Sequence, residues 1–245
     1  MSSREITSEH VAEITVADST GYWWYAVRQG HVQSLIRRET AKLRDWSYLD
    51  LGCGAGGVMR RISEGLKPAH VLGLDGTQEA VDVATSRGLE ARLADFRQPF
   101  ELPFRPRVVT CLDVLEHLED PVLALKNLAS SVEPGALLVA TVPAHPSLWS
   151  PWDDACGHHR RYTRRSLADH LVAAGWRVER LRYFFSFCVP PAWWERRIRK
   201  SVQEMAFPPV SALTNTALTM AGSVERALGS PMPFGTSLVA SARAP

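Results

Sequence analysis

The stretch Tyr48 to Met59, YLDLGCGAGGVM, decides the fold. It reads as a short buried strand, a glycine-rich turn and the first turn of a helix. Glycine is required where the backbone must turn sharply and a ligand must come close, and the helix start behind it offers free N–H groups. The local design is that of a nucleotide pocket.

Outward from this loop, β-rich runs alternate with helical patterns. The runs are Tyr48 to Leu51, Val71 to Leu74, Ala91 to Ala94, Val108 to Leu112 and Ala136 to Val142. Between them, Val58 to Leu66, Gln78 to Arg87 and Val122 to Val132 carry apolar residues at helical spacing, as in Val122, Leu125, Leu128 and Val132. Such alternation predicts a parallel sheet with crossover helices. Thr77 and the pair Asp120–Pro121 read as helix starts, Gly88 as a stop. A further helix begins at Thr163 and stops at Gly175; Arg177 to Phe184 and Thr236 to Ala242 then read as a hairpin-like pair of edge strands. The expected architecture is α/β: a doubly wound, Rossmann-like sheet of about seven strands with the last antiparallel. The chain divides into an N-terminal helical cap (1–45), a cofactor-binding core (46–184 and 233–245) and a helical insertion (185–232) on the substrate side.

With 245 residues, 45% apolar and 22% charged, the chain has the composition of one globular domain. Its 28 basic and 26 acidic side chains leave a charge of +2, too small to call for a polyanionic partner, so nucleic acid is not expected. Cys53, Cys111, Cys156 and Cys188 form no CxxC pair, and the N-terminus lacks the apolar core of a signal peptide; both point to the cytoplasm. The longest aromatic stretch, Tyr183 to Trp194, is broken by Pro190 and Pro191 and is too short to span a bilayer.

Gly52, Gly54 and Gly57 also satisfy the GxGxxG fingerprint of dinucleotide enzymes, with Asp75 near the distance of a ribose-binding acid. Three features favour S-adenosylmethionine over a nicotinamide cofactor. Asp50, two residues before the first glycine, suits a cationic methionine end and would repel a pyrophosphate. Asp95 can accept from an adenine amino group while Phe96 lies against the ring. The third is CLDVLEHLEDP after the fourth strand, followed by a helix and EPGALLVATVP. Together, Tyr48 to Pro143 resemble the class I S-adenosylmethionine-dependent methyltransferases. The resemblance implies that Gly52 and Gly54 line the methionine end, that Asp75, with Gly76 beside it, binds the ribose, that Asp95 and Phe96 hold adenine, and that Leu112 and Asp113 wall the cofactor. Asp50 bracing the glycine turn and Phe96 packing in the core remain alternatives, as do a non-catalytic S-adenosylmethionine or S-adenosylhomocysteine binder and an NAD-dependent oxidoreductase. No NPPY-like loop follows the fourth strand, which disfavours amino methylation of bases.

The segment AHPSLWSPWDDACGHHRRYTRRSL is similar to a bacterial subgroup of that family carrying GHxRRYT before the sixth helix. A loop at the carboxyl edge of a parallel sheet borders the ligand crevice. Trp149, His159 and Arg161 are therefore candidate contacts to a small-molecule or lipid-like acceptor, with Trp24 from the N-terminal helix. For an oxygen or neutral nitrogen acceptor a base is needed, and His117, His145, His158 and Tyr162 are the candidates, His117 first. Two other readings compete: Arg160, Arg161 and Tyr162 tie the loop to the sheet through Asp153 or Asp154, or His145, Asp153, Asp154, Cys156, His158 and His159 supply metal ligands. Their spacing fits no closed metal pattern, and none is expected. Residues 184–200, FFSFCVPPAWWERRIRK, join aromatic bulk to basic charge, as a peripheral membrane contact, a lid or a dimer contact would.

Overall fold

The structure is a computed structural model; it describes residues 21–190, 209–229 and 232–245. Its elements follow the sequence closely. Helix α1 (Trp23–Thr40) precedes β1 (Ser47–Leu51), α2 (Gly57–Leu66), β2 (His70–Asp75), α3 (Gln78–Ser86), β3 (Ala91–Leu93), β4 (Val108–Leu112), α4 (Pro121–Ser131) and β5 (Leu137–Pro143). Then come α5 (Pro151–Ala155), α6 (Arg164–Ala173), β6 (Arg177–Phe184), α7 (Ala212–Ala227) and β7 (Ser237–Arg243).

The seven strands form one sheet in the order β3-β2-β1-β4-β5-β7-β6. The first five are parallel, and β7 runs antiparallel to both β5 and β6. The strand order reverses between β1 and β4, so the connections from their carboxyl ends diverge and open a crevice there. A register shift between Val178 and Arg180 marks a bulge on edge strand β6.

β1, β4 and β5 are buried along their whole length because helices cover both faces. One core, containing Leu49, Leu51, Leu125, Leu138, Leu171 and Trp176, lies on the α4–α6 side. The other, with Ile36, Tyr48, Met59, Ile62, Val139 and Phe184, lies under α1 and α2. Trp176 is closed by a hydrogen bond from Nε1 to the Leu125 carbonyl.

Helix starts have local causes. Asp120 accepts from the Leu123 amide with Pro121 in the first turn, and Thr163 accepts from the Ser166 amide. Thr77 stands at the start of α3, but its hydroxyl and amide both donate to Asp75 Oδ1 rather than capping the helix. Among the described residues no helix is long and apolar enough to cross a membrane. Of the 184–200 stretch, residues 191–200, including Trp193 and Trp194, lie outside the described residues.

Candidate active site

The site is built where β1, β2 and β4 end. Gly52 follows β1 with φ +76°, and a Cβ there would lie 2.2 Å from Val114 Cγ2, so glycine alone fits. The Gly52 and Cys53 amides both donate to the Leu74 carbonyl (2.7 and 3.0 Å), stitching the loop to β2. Gly54 (φ +53°) donates its amide to Asp75 Oδ2 at 2.8 Å, and open space lies above its Cα. Asp75 Oδ1 takes the Thr77 amide and hydroxyl at 3.0 and 2.9 Å. The carboxylate at the end of β2 is thus pinned from both sides beside the glycine turn. Asp50, buried in β1, accepts from Thr110 Oγ1 at 2.6 Å, and the Tyr48 hydroxyl in turn donates to Thr110.

The next loop separates its two candidates. Asp95 is exposed, and its carboxylate is forked by Arg97 Nε and Nη2. That ion pair holds its pKa below the usual carboxylate value. Phe96, 6% exposed, belongs to the same core cluster as Leu74 and Leu115, which favours its core alternative.

At the end of β4, Leu112 is buried and Asp113 adopts φ +56° while its amide donates to the Thr141 carbonyl. Arg28 from α1 reaches across to form an ion pair with Asp113. The guanidinium also lies 4.7 and 5.0 Å from the ring centroids of Trp24 and Tyr25. Helix α1 thereby roofs the crevice, and Trp24 belongs to that roof, stacked on Phe185.

Beyond Asp113, Glu116, His117 and His158 converge, each with one donor atom within 4.8 Å of the others, and the two imidazoles sit 4.8 Å apart nearly edge to face. Glu116 is 1% exposed and its Oε2 has no hydrogen-bond partner. Burial first, then the Asp113 charge, drives its pKa well above the usual carboxylate value, against the opposing pull of a backbone hydrogen bond, Arg161 and Arg28. The trio has ligand types suited to a divalent ion, and shares only His158 with the set considered from sequence.

Asp153 organises the GHHRRYT loop. Its Oδ1 meets His158 Nδ1 at 2.9 Å and accepts from Arg161 Nε at 2.7 Å, while Oδ2 accepts from the Ser150 amide at 2.9 Å. Burial alone would raise its pKa, but the His158 hydrogen bond and the charge and hydrogen bond of Arg161 outweigh it and hold the group at about 2. Arg161 also donates to the Ala144 carbonyl, and Arg160 to those of Leu118 and Glu119. The Tyr162 hydroxyl donates to the Leu115 carbonyl at 3.1 Å from a fully buried position. Of the two readings of this loop, these contacts favour the tie to the sheet through Asp153: Arg161 pairs with Asp153, and the Tyr162 hydroxyl is bonded within the core.

The remaining candidates are scattered. His145 (φ +59°) stacks on Tyr183 at 4.9 Å with its Nε2 buried and without a hydrogen-bond partner; burial and Arg161 push its pKa down. His159 is exposed, with its amide on the Glu116 carbonyl. Trp149 is half-buried, its Nε1 3.3 Å from Asp154 Oδ2, and Gly76 is exposed beside Asp75. Sequence reasoning passed over Arg28 and Glu116. Glu116 sits inside the apolar run VLEHL, where only its ionisable side chain hinted at a role.

The methyltransferase domain family matches residues 27–181, more than half of the chain. An enzyme described as ubiquinone biosynthesis O-methyltransferase from Marinobacter nauticus is 39% identical over 120 residues, 44% of this chain and 49% of that one. The chain spans about half the length of the curated relatives it matches. Among solved structures, Haemonchus contortus phosphoethanolamine N-methyltransferase 2 superposes with a TM-score of 0.59 at 15% identity, over 87% of this chain and 52% of that one. An S-adenosylmethionine-dependent methyltransferase from Mesorhizobium loti gives 0.53 at 19% identity, over 83% and 94%. Sequence match, strand order and glycine loop agree: the chain belongs to the methyltransferase domain family, with its class I, Rossmann-like fold.

Proposed function

We propose that this chain binds S-adenosylmethionine at the carboxyl ends of β1, β2 and β4 and transfers its methyl group to a hydroxyl of a small-molecule acceptor. The observation that carries this reading is the Asp75 carboxylate, pinned between the Gly54 amide and Thr77, with open space over Gly54 and Gly76. Oδ2, which accepts one hydrogen bond, keeps acceptor capacity for a ligand hydroxyl, whereas Oδ1 already accepts two. The buried Asp50 gives the same crevice an acidic group that suits a cationic ligand, while the Asp113 charge is already matched by Arg28. The donor set therefore fits an adenosyl group with a positively charged tail.

When bound, that group supplies a methyl carbon activated by an adjacent sulfonium. The chain's own residues then have to bind, align and deprotonate. Asp75 holds hydroxyls. Arg28, with Trp24 and Tyr25, closes the roof against water. In this reading His117 and His158 take a proton from an acceptor oxygen, and Asp153 orients His158 through Nδ1. The oxygen acceptor rests on the O-methyltransferase relatives, matched over less than half of this chain. The α1 roof, and the 185–232 segment to which α7 belongs, shape the acceptor side in this reading.

Calorimetric titration with S-adenosylmethionine, S-adenosylhomocysteine and NAD tests it, repeated with Asp75→Ala. Binding of both adenosyl ligands, weakened by the substitution, is expected. Binding of NAD alone, or of none of the three, overturns it.

A further inference from the structure

Far from the glycine loop, against edge strand β6, lies a cavity of about 100 Å³ between α1, β6, α7 and β7. Arg38 and His31 of α1, Arg180 and Arg182 of β6, and Arg226 of α7 line it, and among the described residues no carboxylate does. We propose that this cavity is a binding site for a phosphate group, held by the guanidinium groups of Arg38, Arg180, Arg182 and Arg226.

The sequence conceals the charge. Arg38 is followed by Glu39, Arg180 is preceded by Glu179 and Arg226 by Glu225, so each doublet is locally neutral. The fold pulls the doublets apart. Glu39 turns to Arg243 with both oxygens, and Glu179 pairs with Arg177 and Arg243. Glu225 is buried, its two oxygens taken by the amides of Phe185 and Ser186 at 2.8 and 2.9 Å. All three glutamates are spent elsewhere, and their arginine neighbours meet at one cavity.

Among the described residues, the side chains of Arg38, Arg180 and Arg226 make no hydrogen bond or ion pair, and Arg182 gives one side-chain N–H to the Gly229 carbonyl. Like charges gathered without a counter-charge repel one another, and an anion removes that cost. Guanidinium forks match phosphate oxygens two at a time, which makes arginine the fitting cation. Gly30 has a part in this: a Cβ there would lie 3.1 Å from Arg226 Nε, so its bareness lets that guanidinium lie along α1. His31, 5% exposed, lines the cavity with an Nε2 that has no hydrogen-bond partner, a further polar atom available to an oxyanion. The cavity is well below the ~300 Å³ of a pocket that takes a whole ligand, so it accepts a headgroup and leaves the rest of the molecule outside.

The probes are inorganic phosphate, read by calorimetry at constant ionic strength, and vesicles of phosphatidylcholine with or without phosphatidic acid, read by co-sedimentation. Wild type should bind phosphate saturably, one per chain, and Arg180→Gln/Arg226→Gln should weaken this at least tenfold. With phosphate absent, the double variant should melt no lower than wild type, since repulsion is relieved; a merely structural role for these arginines predicts a lower melting temperature. Should the double variant fail to fold, the exposed Arg38→Gln carries the same test with a smaller loss. Arginine-dependent binding to phosphatidic acid vesicles but not to free phosphate would support the site and assign its source to a lipid headgroup. Binding to neither probe, or binding untouched by the substitutions, overturns the proposal.

Discussion

Replacing Asp153 by asparagine should cost about 3–5 kcal/mol, the range for breaking a buried ion pair by removing one partner. The environment places it there. Asp153 is 0% and Arg161 3% exposed at the side chain, so the guanidinium would keep its charge with neither water nor a counter-charge nearby. Asparagine also replaces one acceptor by a donor, while Ser150 N and Arg161 Nε both require acceptors from this residue. With urea dependence of ~2–3 kcal/mol per molar, the unfolding midpoint should fall by about 1–2 M. Adding Arg161→Met should return part of the loss, because the orphaned charge is then gone. Proton linkage supplies an independent check. The folded pKa of about 2 lies below the usual 3.8, so the stabilisation is fully present above pH 4 and is lost as pH falls through 2. Those nearly two units correspond to about 2 kcal/mol, less than the substitution costs, because a protonated carboxyl still accepts through one oxygen. A midpoint shift under about 0.5 M, or no recovery in the double variant, would refute the reasoning.

Gly52→Ala combines a left-handed φ with a 2.2 Å overlap on Val114; each contributes roughly 1–3 kcal/mol, so thermal unfolding should drop sharply and adenosyl ligand binding should be lost with it. Tyr162→Phe should cost about 1–3 kcal/mol in denaturant unfolding by stranding the Leu115 carbonyl, yet leave turnover per folded molecule within a few-fold of wild type, as befits a core tie. His158→Ala, by contrast, should reduce kcat by about 10²–10⁴ on an acceptor found by screening, with little change in S-adenosylmethionine affinity by calorimetry. Arg243→Met removes the partner shared by Glu39 and Glu179 at 16% exposure, and should lower the urea midpoint with no effect on cofactor binding.

What could be read from the sequence was what a short stretch specifies by itself. β4 was legible to the residue because Val108 to Leu112 is apolar apart from the β-branched Thr110, and the glycine loop because its conformation admits no side chain at position 52. Asp75 was legible for the same reason, since its place at a strand end depends on spacing alone. Side chains whose partners are distant in sequence were not. Arg28 meets Asp113 across 85 positions, and nothing in WWYAVRQG marks that arginine as the one turned to the crevice. Arg161 and Tyr162 offered a charge and a hydroxyl equally suited to an acceptor or to a scaffold. The choice was made by Asp153, brought to 2.7 Å of Arg161 by the short helix that Ser150 starts. Phe96 likewise went inward because Asn127 holds its carbonyl and the core beneath has room for the ring. The GHHRRYT loop therefore spends most of its polar groups on its own architecture, and in the function proposed above this is a condition for His158 to act as a base. An imidazole that must accept a proton repeatedly from one direction needs its ring fixed by groups that do not themselves exchange, and the buried Asp153–Arg161 pair meets that requirement.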